Sequence, residues 1–225
     1  MIERKIEART HGRYLVSGPQ GTQAPLLIGF HGYAESADME LARLQKIPGA
    51  GRYVLVAVQG LHRFYRGRST DVVASWMTRQ NRELAIADNI LYTSKVIESV
   101  SREWSTGSSL VLSGFSQGVA MAFRCAATLD RPVSGVLALG GDVPPELDAN
   151  ALKRIPAVLI GHGKQDEWYT AEKVAADEQR LRAAGVNVQV VTFDGGHDWH
   201  ADFATAAGQF LVRAEQEYSR LERLQ

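Results

Sequence analysis

The sequence predicts an α/β protein with a largely parallel central sheet flanked by helices. Three observations carry that expectation. Short apolar runs rich in Val, Ile and Leu recur along the chain, and such runs read as strands buried on both faces. Longer amphipathic stretches alternate with them, often after a Gly-containing turn, which is the pattern of a sheet built from strand–helix units. No repeat, low-complexity tract or Pro/Gly/Ser-rich linker divides the 225 residues, so one domain over 1–225 is expected.

In chain order, strands are expected at Leu26–Phe30, Tyr53–Val58, Leu110–Gly114, Val133–Leu139, Ala157–Gly161 and Val186–Phe193. Tyr14–Ser17 reads as an added edge strand, turned by Gly18-Pro19. The first long helix is expected over Glu83–Trp104, where Ile86, Ile90, Ile97, Val100 and Trp104 share a face. Helices also fit Gln117–Leu129 and Thr170–Ala184, the latter closed by Gly185. The last runs over Ala201–Leu221, with Phe203, Ala207, Phe210, Leu211, Ala214, Tyr218 and Leu221 on one stripe.

Composition narrows the function classes. Hydrophobic residues make up 45% and charged residues 22%, the balance of a globular chain rather than a disordered one. Lys+Arg 25 against Asp+Glu 25 gives no net charge, which argues against broad capture of nucleic acid or an anionic membrane. The single cysteine, Cys125, makes neither an internal disulfide nor a cysteine metal cluster. It reads as a small core residue. The opening MIERKIEART has no apolar signal segment and no run reaches membrane-spanning length, so a cytoplasmic protein without membrane insertion is expected. Oligomeric state is not legible here.

Sheets of this class react at the carboxyl ends of their strands. Those positions are His31-Gly32-Tyr33, Gln59-Gly60, Ser116, Asp142, Asp166 and His197. Gly114-Phe115-Ser116-Gln117-Gly118 stands between an apolar run and a helical pattern. There a sharp strand-to-helix turn exposes the hydroxyl, and small neighbours let the backbones approach. The competing reading is a serine N-cap. A serine hydroxyl is a poor nucleophile without a base. His197, on the glycine-flanked loop Gly195-Gly196-His197 after the last strand, is the expected base, with His200 as competitor. Asp166 is the expected partner that fixes the imidazole, with Asp142 as rival; Asp194 and Asp198 are too near His197 in sequence to reach back to its ring. The order Ser, Asp, His suits acyl transfer. Its oxyanion donors are expected to be the backbone N–H groups of Gln117 and Tyr33. His31 reads as a structural residue fixing its loop. No metal is needed, since the six histidines show no ligand spacing such as H-x-x-x-H beside an acidic residue.

At these residues the chain resembles the phospholipase/carboxylesterase branch of the α/β-hydrolases, which includes acyl-protein thioesterases. The matching stretches are Leu27-Ile28-Gly29-Phe30-His31-Gly32, Leu112-Ser113-Gly114-Phe115-Ser116-Gln117-Gly118, Gly161-His162-Gly163-Lys164-Gln165-Asp166 and Gly195-Gly196-His197. The resemblance implies an α/β-hydrolase fold without a large cap domain, no cofactor, and action on carboxylic esters or thioesters. It also implies Ser116, Asp166 and His197 as the catalytic set and Tyr33 and Gln117 as oxyanion donors. Two departures stand out: Ala34-Glu35 where the family commonly has Gly-Asp, and Val119 where a further Gly is usual. Both are expected to reshape the acyl side of the pocket.

Substrate clues are thinner. Leu61–Arg68 interleaves Arg63, Arg66 and Arg68 with Phe64 and Tyr65, either a grip on an anionic group or a solvated loop. Trp76, Met77, Trp168 and Trp199 flank the catalytic loops, either walling an apolar pocket or packing beneath it. The expected partner is a small to medium, partly apolar ester. The alternatives are a thioesterase or lysophospholipase-type lipid hydrolase and, in another class, a non-enzymatic binding protein on the same fold.

Overall fold

The computed structural model describes residues 1–222. Its main sheet has seven strands: β1 (Tyr14–Ser17), β2 (Leu26–Phe30), β3 (Val54–Val58), β6 (Leu110–Phe115), β7 (Gly135–Leu139), β8 (Ala157–Gly163) and β9 (Asn187–Phe193), in the order β1-β3-β2-β6-β7-β8-β9. All neighbours pair in parallel except β1, which runs antiparallel to β3 at the edge. The expected strands are present, with limits moved by a few residues.

Five strands, β2, β3, β6, β7 and β8, are buried along their whole length. Alternate residues of a strand point to opposite faces, so one sheet feeds two cores. Leu26, Ile28, Phe30, Leu110 and Leu112 pack on the face covered by α2 (Arg82–Trp104), α3 (Gln117–Thr128) and α5 (Ala171–Ala183). Leu27, Val111, Leu137, Leu139 and Leu159 pack on the other, against α1 (Ala37–Leu44) and α6 (Ala201–Glu222). The side chains of Tyr218 and Leu221, placed on the α6 stripe by sequence, lie outside the described residues. No described helix is long and apolar enough to cross a membrane.

Three differences from expectation are informative. The buried stripe of α2 includes Ala85, Asn89, Thr93, Val96 and Val100, while Ile86 and Ile90 are only half-buried. Polar residues are held in that stripe by hydrogen bonds from their donors: the Asn89 amide N–H groups donate to the Trp76 and Ala85 carbonyls, and the Thr93 hydroxyl to the Asn89 carbonyl. The arginine–aromatic segment is not a loose loop but β4 (His62–Tyr65), paired antiparallel with β5 (Val72–Ser75). Finally, α1 and the short α4 (Ala149–Leu152) have no counterpart among the expected elements. The α1 signal is local: Ser36 caps it by accepting from the Met39 N–H, with Asp38 and Glu40 in its first turn.

The order of strands reverses at β2, whose neighbours β3 and β6 lie on opposite sides. A crevice is expected at the carboxyl ends of β2 and β6, just where His31-Gly32-Tyr33 and Ser116 follow their strands.

Candidate active site

Ser116 occupies a turn that few residues accept. Its φ of 53° and ψ of −119° lie in a left-handed region where a non-glycine residue is strained. The turn holds because β6 ends and α3 begins with no residue to spare, and because the Ser116 N–H donates to the Leu139 carbonyl at 2.9 Å. A Cβ on Gly118 would stand 1.9 Å from the Phe30 carbonyl oxygen. The second glycine of the motif is therefore required by backbone contact with β2.

The hydroxyl so presented meets an imidazole. Ser116 Oγ lies 2.8 Å from His197 Nε2, and His197 Nδ1 lies 2.8 Å from Asp166 Oδ2. The other carboxylate oxygen of Asp166 accepts from the backbone N–H groups of Trp168 and Tyr169 at 2.8 and 2.9 Å. Burial opposes ionisation of Asp166, but the Tyr169 N–H, the His197 ring and the Trp168 N–H together hold its carboxyl below the usual range. An ionised Asp166 favours the tautomer with hydrogen on Nδ1, leaving Nε2 free to accept from Ser116. The histidine loop is seated by the Gln165 N–H on the Gly195 carbonyl.

The His31-Gly32-Tyr33 loop is fixed from several sides. His31 Nε2 accepts from the Gly60 N–H at 3.0 Å, so Nδ1 carries the hydrogen and donates to the Gly32 carbonyl at 2.6 Å. Burial pushes the His31 pKa down, in keeping with a neutral, structural ring. Trp76 donates its indole N–H to the His31 carbonyl at 2.8 Å. Glu35 accepts from the Gly32 N–H at 2.8 Å and is held in turn by Arg43 through both guanidinium ends. Arg43 also lies 4.3 Å from the Phe115 ring centroid, and that ring packs on His197 at 5.1 Å. The first-turn N–H of Gln117 lies where a helix leaves donors without intrahelical partners. Its side chain binds the neighbouring loop: Oε1 accepts from the Trp76 N–H, and Nε2 donates to the Met77 carbonyl.

Ser116, His197, Tyr33 and Gln117 line one cleft of about 610 Å³, together with Met77 and Trp168. A hollow of about 400 Å³ opens by Ala157 and Asn187, at the amino ends of β8 and β9 and away from this chemistry.

A sequence model of the phospholipase/carboxylesterase family matches residues 12–214. The chain belongs to that family. It is an ester-hydrolysing enzyme with the α/β-hydrolase fold. Among solved structures it is similar to a Bacillus cereus carboxylesterase, with 16% identity over 90% of this chain and 94% of that one, TM-score 0.69. A Mesorhizobium loti carboxylesterase shares 19% identity over 89% and 94%, TM-score 0.71. The Zea mays acyl-protein thioesterase 2 shares 19% over 91% and 99%, TM-score 0.70. At these identities the likeness is one of fold. No curated protein sequence matches significantly.

Within this hydrolase the remaining expected residues divide. Met77 and Trp168 reach the cleft, whereas Trp76 is wholly buried and holds the His31 carbonyl from beneath. Trp199 packs edge-on against Phe203 and lines a separate hollow beside Arg43. Its position follows from α6, which carries the residues after His197 back toward the second core. Arg66 does not line the cleft either: it donates to the Ala34 carbonyl at 3.1 Å, because the β4–β5 hairpin lays it over the outside of that loop. Arg63 donates to the His11 carbonyl. Of the rivals, His200 stacks on Phe193 and Asp142 pairs with Lys173 at 3.5 Å. Burial pushes the Cys125 thiol up to about 12, so it is no nucleophile.

The two family departures have local consequences. Ala34 has φ of 56°, a conformation that glycine adopts without strain. Val119 is buried in the core rather than lining the cleft, so it does not reshape the pocket directly.

A fully buried carboxyl lies on α1, against Gly29 of β2. Glu40 has Oε2 3.5 Å from Arg43 and Oε1 without a partner. Burial raises its pKa from 4.5 to about 7, against the opposing effect of Arg43. A carboxyl raised on folding binds its proton more tightly in the native state, so its contribution is full below pH 4.5 and declines up to about 7. The loss across that window is about 3 kcal/mol for this group alone. Urea titrations at pH 5 and pH 8 should therefore show Glu40→Gln gaining on the wild type at the higher pH. An equal difference at both values would remove Glu40 as the source.

Proposed function

We propose that this enzyme hydrolyses carboxylic esters of small to medium, partly apolar substrates by two acyl transfers through Ser116. The observation that carries the reading is the unbroken relay from Ser116 Oγ to His197 to Asp166, two contacts of 2.8 Å. Ser116 attacks the ester carbonyl as His197 Nε2 takes its proton. The Gln117 and Tyr33 backbone N–H groups receive the charge that develops on the carbonyl oxygen. His197 then protonates the departing alcohol, and a water activated by the same imidazole releases the acid and restores Ser116.

Thioesters are the nearest alternative, since the same acyl-enzyme serves them and the maize neighbour is an acyl-protein thioesterase. Hydrolysis of p-nitrophenyl esters of graded acyl length, beside a matched thioester series, tests both. A shorter-chain ester optimum with a fluorophosphonate adduct on the Ser116 peptide is the expected result. Absence of both turnover and adduct would overturn the reading in favour of a binding protein.

A further inference from the structure

We infer that the cleft beside Ser116 selects esters that carry a carboxylate, recognised by Arg124 at its floor. This deepens the esterase reading and rests on it. Gln117, Ala120 and Arg124 stand at spacings of three and four on α3 and line the cleft together. The other face of the helix, with Met121, Ala122, Phe123 and Cys125, is core. Arg124 is eight residues beyond Ser116, roughly 12 Å along the helix axis. Helical side chains lean toward the amino end, here toward the nucleophile.

Arg124 is unusual for a cleft residue in being only 3% exposed. Its Nε and Nη2 edge is taken by Glu146 Oε1, both at 2.7 Å. Nη1 faces the Met77 sulfur at 3.5 Å, a weak acceptor. A buried guanidinium with one end on a thioether and a cleft beside it is suited to a further anionic acceptor. Arg82 and Lys173 line the same cleft. Against these three cations stand Asp142, paired with Lys173, and Glu146, paired with Arg82 and Arg124. Asp166 is committed to His197. Neither Glu146 nor Asp166 lines the cleft, so the charged groups that do, Arg82, Arg124, Lys173 and Asp142, leave its wall cationic, and a single guanidinium end on a thioether suits one carboxylate.

The charge therefore lies at the end of the cleft lined by α3, not on the arginine–aromatic hairpin that the sequence singled out. A hemiester of a short dicarboxylic acid places an ester carbonyl at Ser116 and a carboxylate toward Arg124. Hydrolysis then releases the free diacid and the alcohol.

The test compares monomethyl glutarate with methyl valerate, equal in acyl length, by pH-stat titration. The wild type is expected to favour the hemiester in kcat/KM, chiefly through KM, and Arg124→Gln to lower the ratio of the two by about 10–100-fold. An arginine that only anchors the Glu146 loop would leave that ratio unmoved, and so would overturn the inference. Calorimetric titration of the wild type with glutarate needs neither a variant nor turnover. Binding that weakens with salt and exceeds that of inorganic phosphate supports the pocket; no binding, or phosphate the tighter, refutes it. Methyl valerate cleaved without any preference for the hemiester sinks the anion pocket alone. Failure to cleave either ester or to accept a fluorophosphonate sinks the esterase reading, while the calorimetry still decides the pocket.

Discussion

Replacing Ser116 by Ala is expected to lower kcat on the best p-nitrophenyl ester by about 10⁶-fold, the loss seen when a nucleophile that works as one unit with its base is removed. The fold should survive, because the hydroxyl makes its one described side-chain bond to His197 and the turn is held by the Ser116 N–H instead. Alanine keeps the Cβ that already tolerates the positive φ at this position. A residual acceleration of about 10³ over water can remain from the oxyanion donors and substrate binding. The measurement is single-substrate kinetics with circular dichroism of both proteins. Retained turnover in a folded S116A would mean that another group attacks, and would remove the acyl-enzyme from the mechanism.

Asp166→Asn should cost about 10⁴-fold in kcat while leaving the loop in place. The argument is one of donors and acceptors. Asp166 Oδ1 accepts two backbone N–H groups, and Oδ2 faces His197 Nδ1. Asparagine has one acceptor oxygen and one amide that only donates. If its oxygen keeps the Trp168 and Tyr169 N–H groups, the amide faces Nδ1 and drives the imidazole hydrogen to Nε2. The ring then donates to Ser116 and no longer accepts its proton. A small change in KM with a large fall in kcat is the expected signature. A variant within tenfold of the wild type would show that the tautomer is set elsewhere. The native carboxyl also carries a stability consequence opposite in sign to that of Glu40. Its pKa is lowered on folding, so its contribution is present above the unfolded value of 3.8 and is lost as pH falls through the folded one.

Much of this was legible in the residues themselves. Strands with both faces buried announce themselves as runs of Val, Ile and Leu, because no polar side is needed; the runs at Leu26, Leu110 and Ala157 did so. Once those strands are placed, Ser116, Asp166 and His197 fall at their carboxyl ends, and the chemistry of a serine needing a base selects them. The Tyr33 loop follows from β2 in the same way. What stayed hidden were the bracing contacts around those groups, whose partners are distant in sequence and carry no motif. The buried stripe of α2 departs from its apolar periodicity because tertiary contacts hold Asn89 and Thr93 inside through hydrogen bonds. Glu35 and Arg43 look like surface charges until α1 carries Arg43 back to the Glu35 carboxylate, which holds the Gly32 N–H.

The same division governs substrate recognition. Three arginines among aromatics between Leu61 and Arg68 were conspicuous in the sequence, yet strand pairing turned Arg66 to the outer side of the Ala34 loop. Arg124, in an apolar helix, carried no local sign of function. The sequence by itself determined the fold class, the placing of Ser116, Asp166 and His197 at strand ends and the turn that presents Ser116, since each rests on local pattern and backbone sterics. Only the tertiary structure decided which charges meet the cleft and which merely brace it, because a side chain's electrostatic surroundings are built from segments that the chain separates.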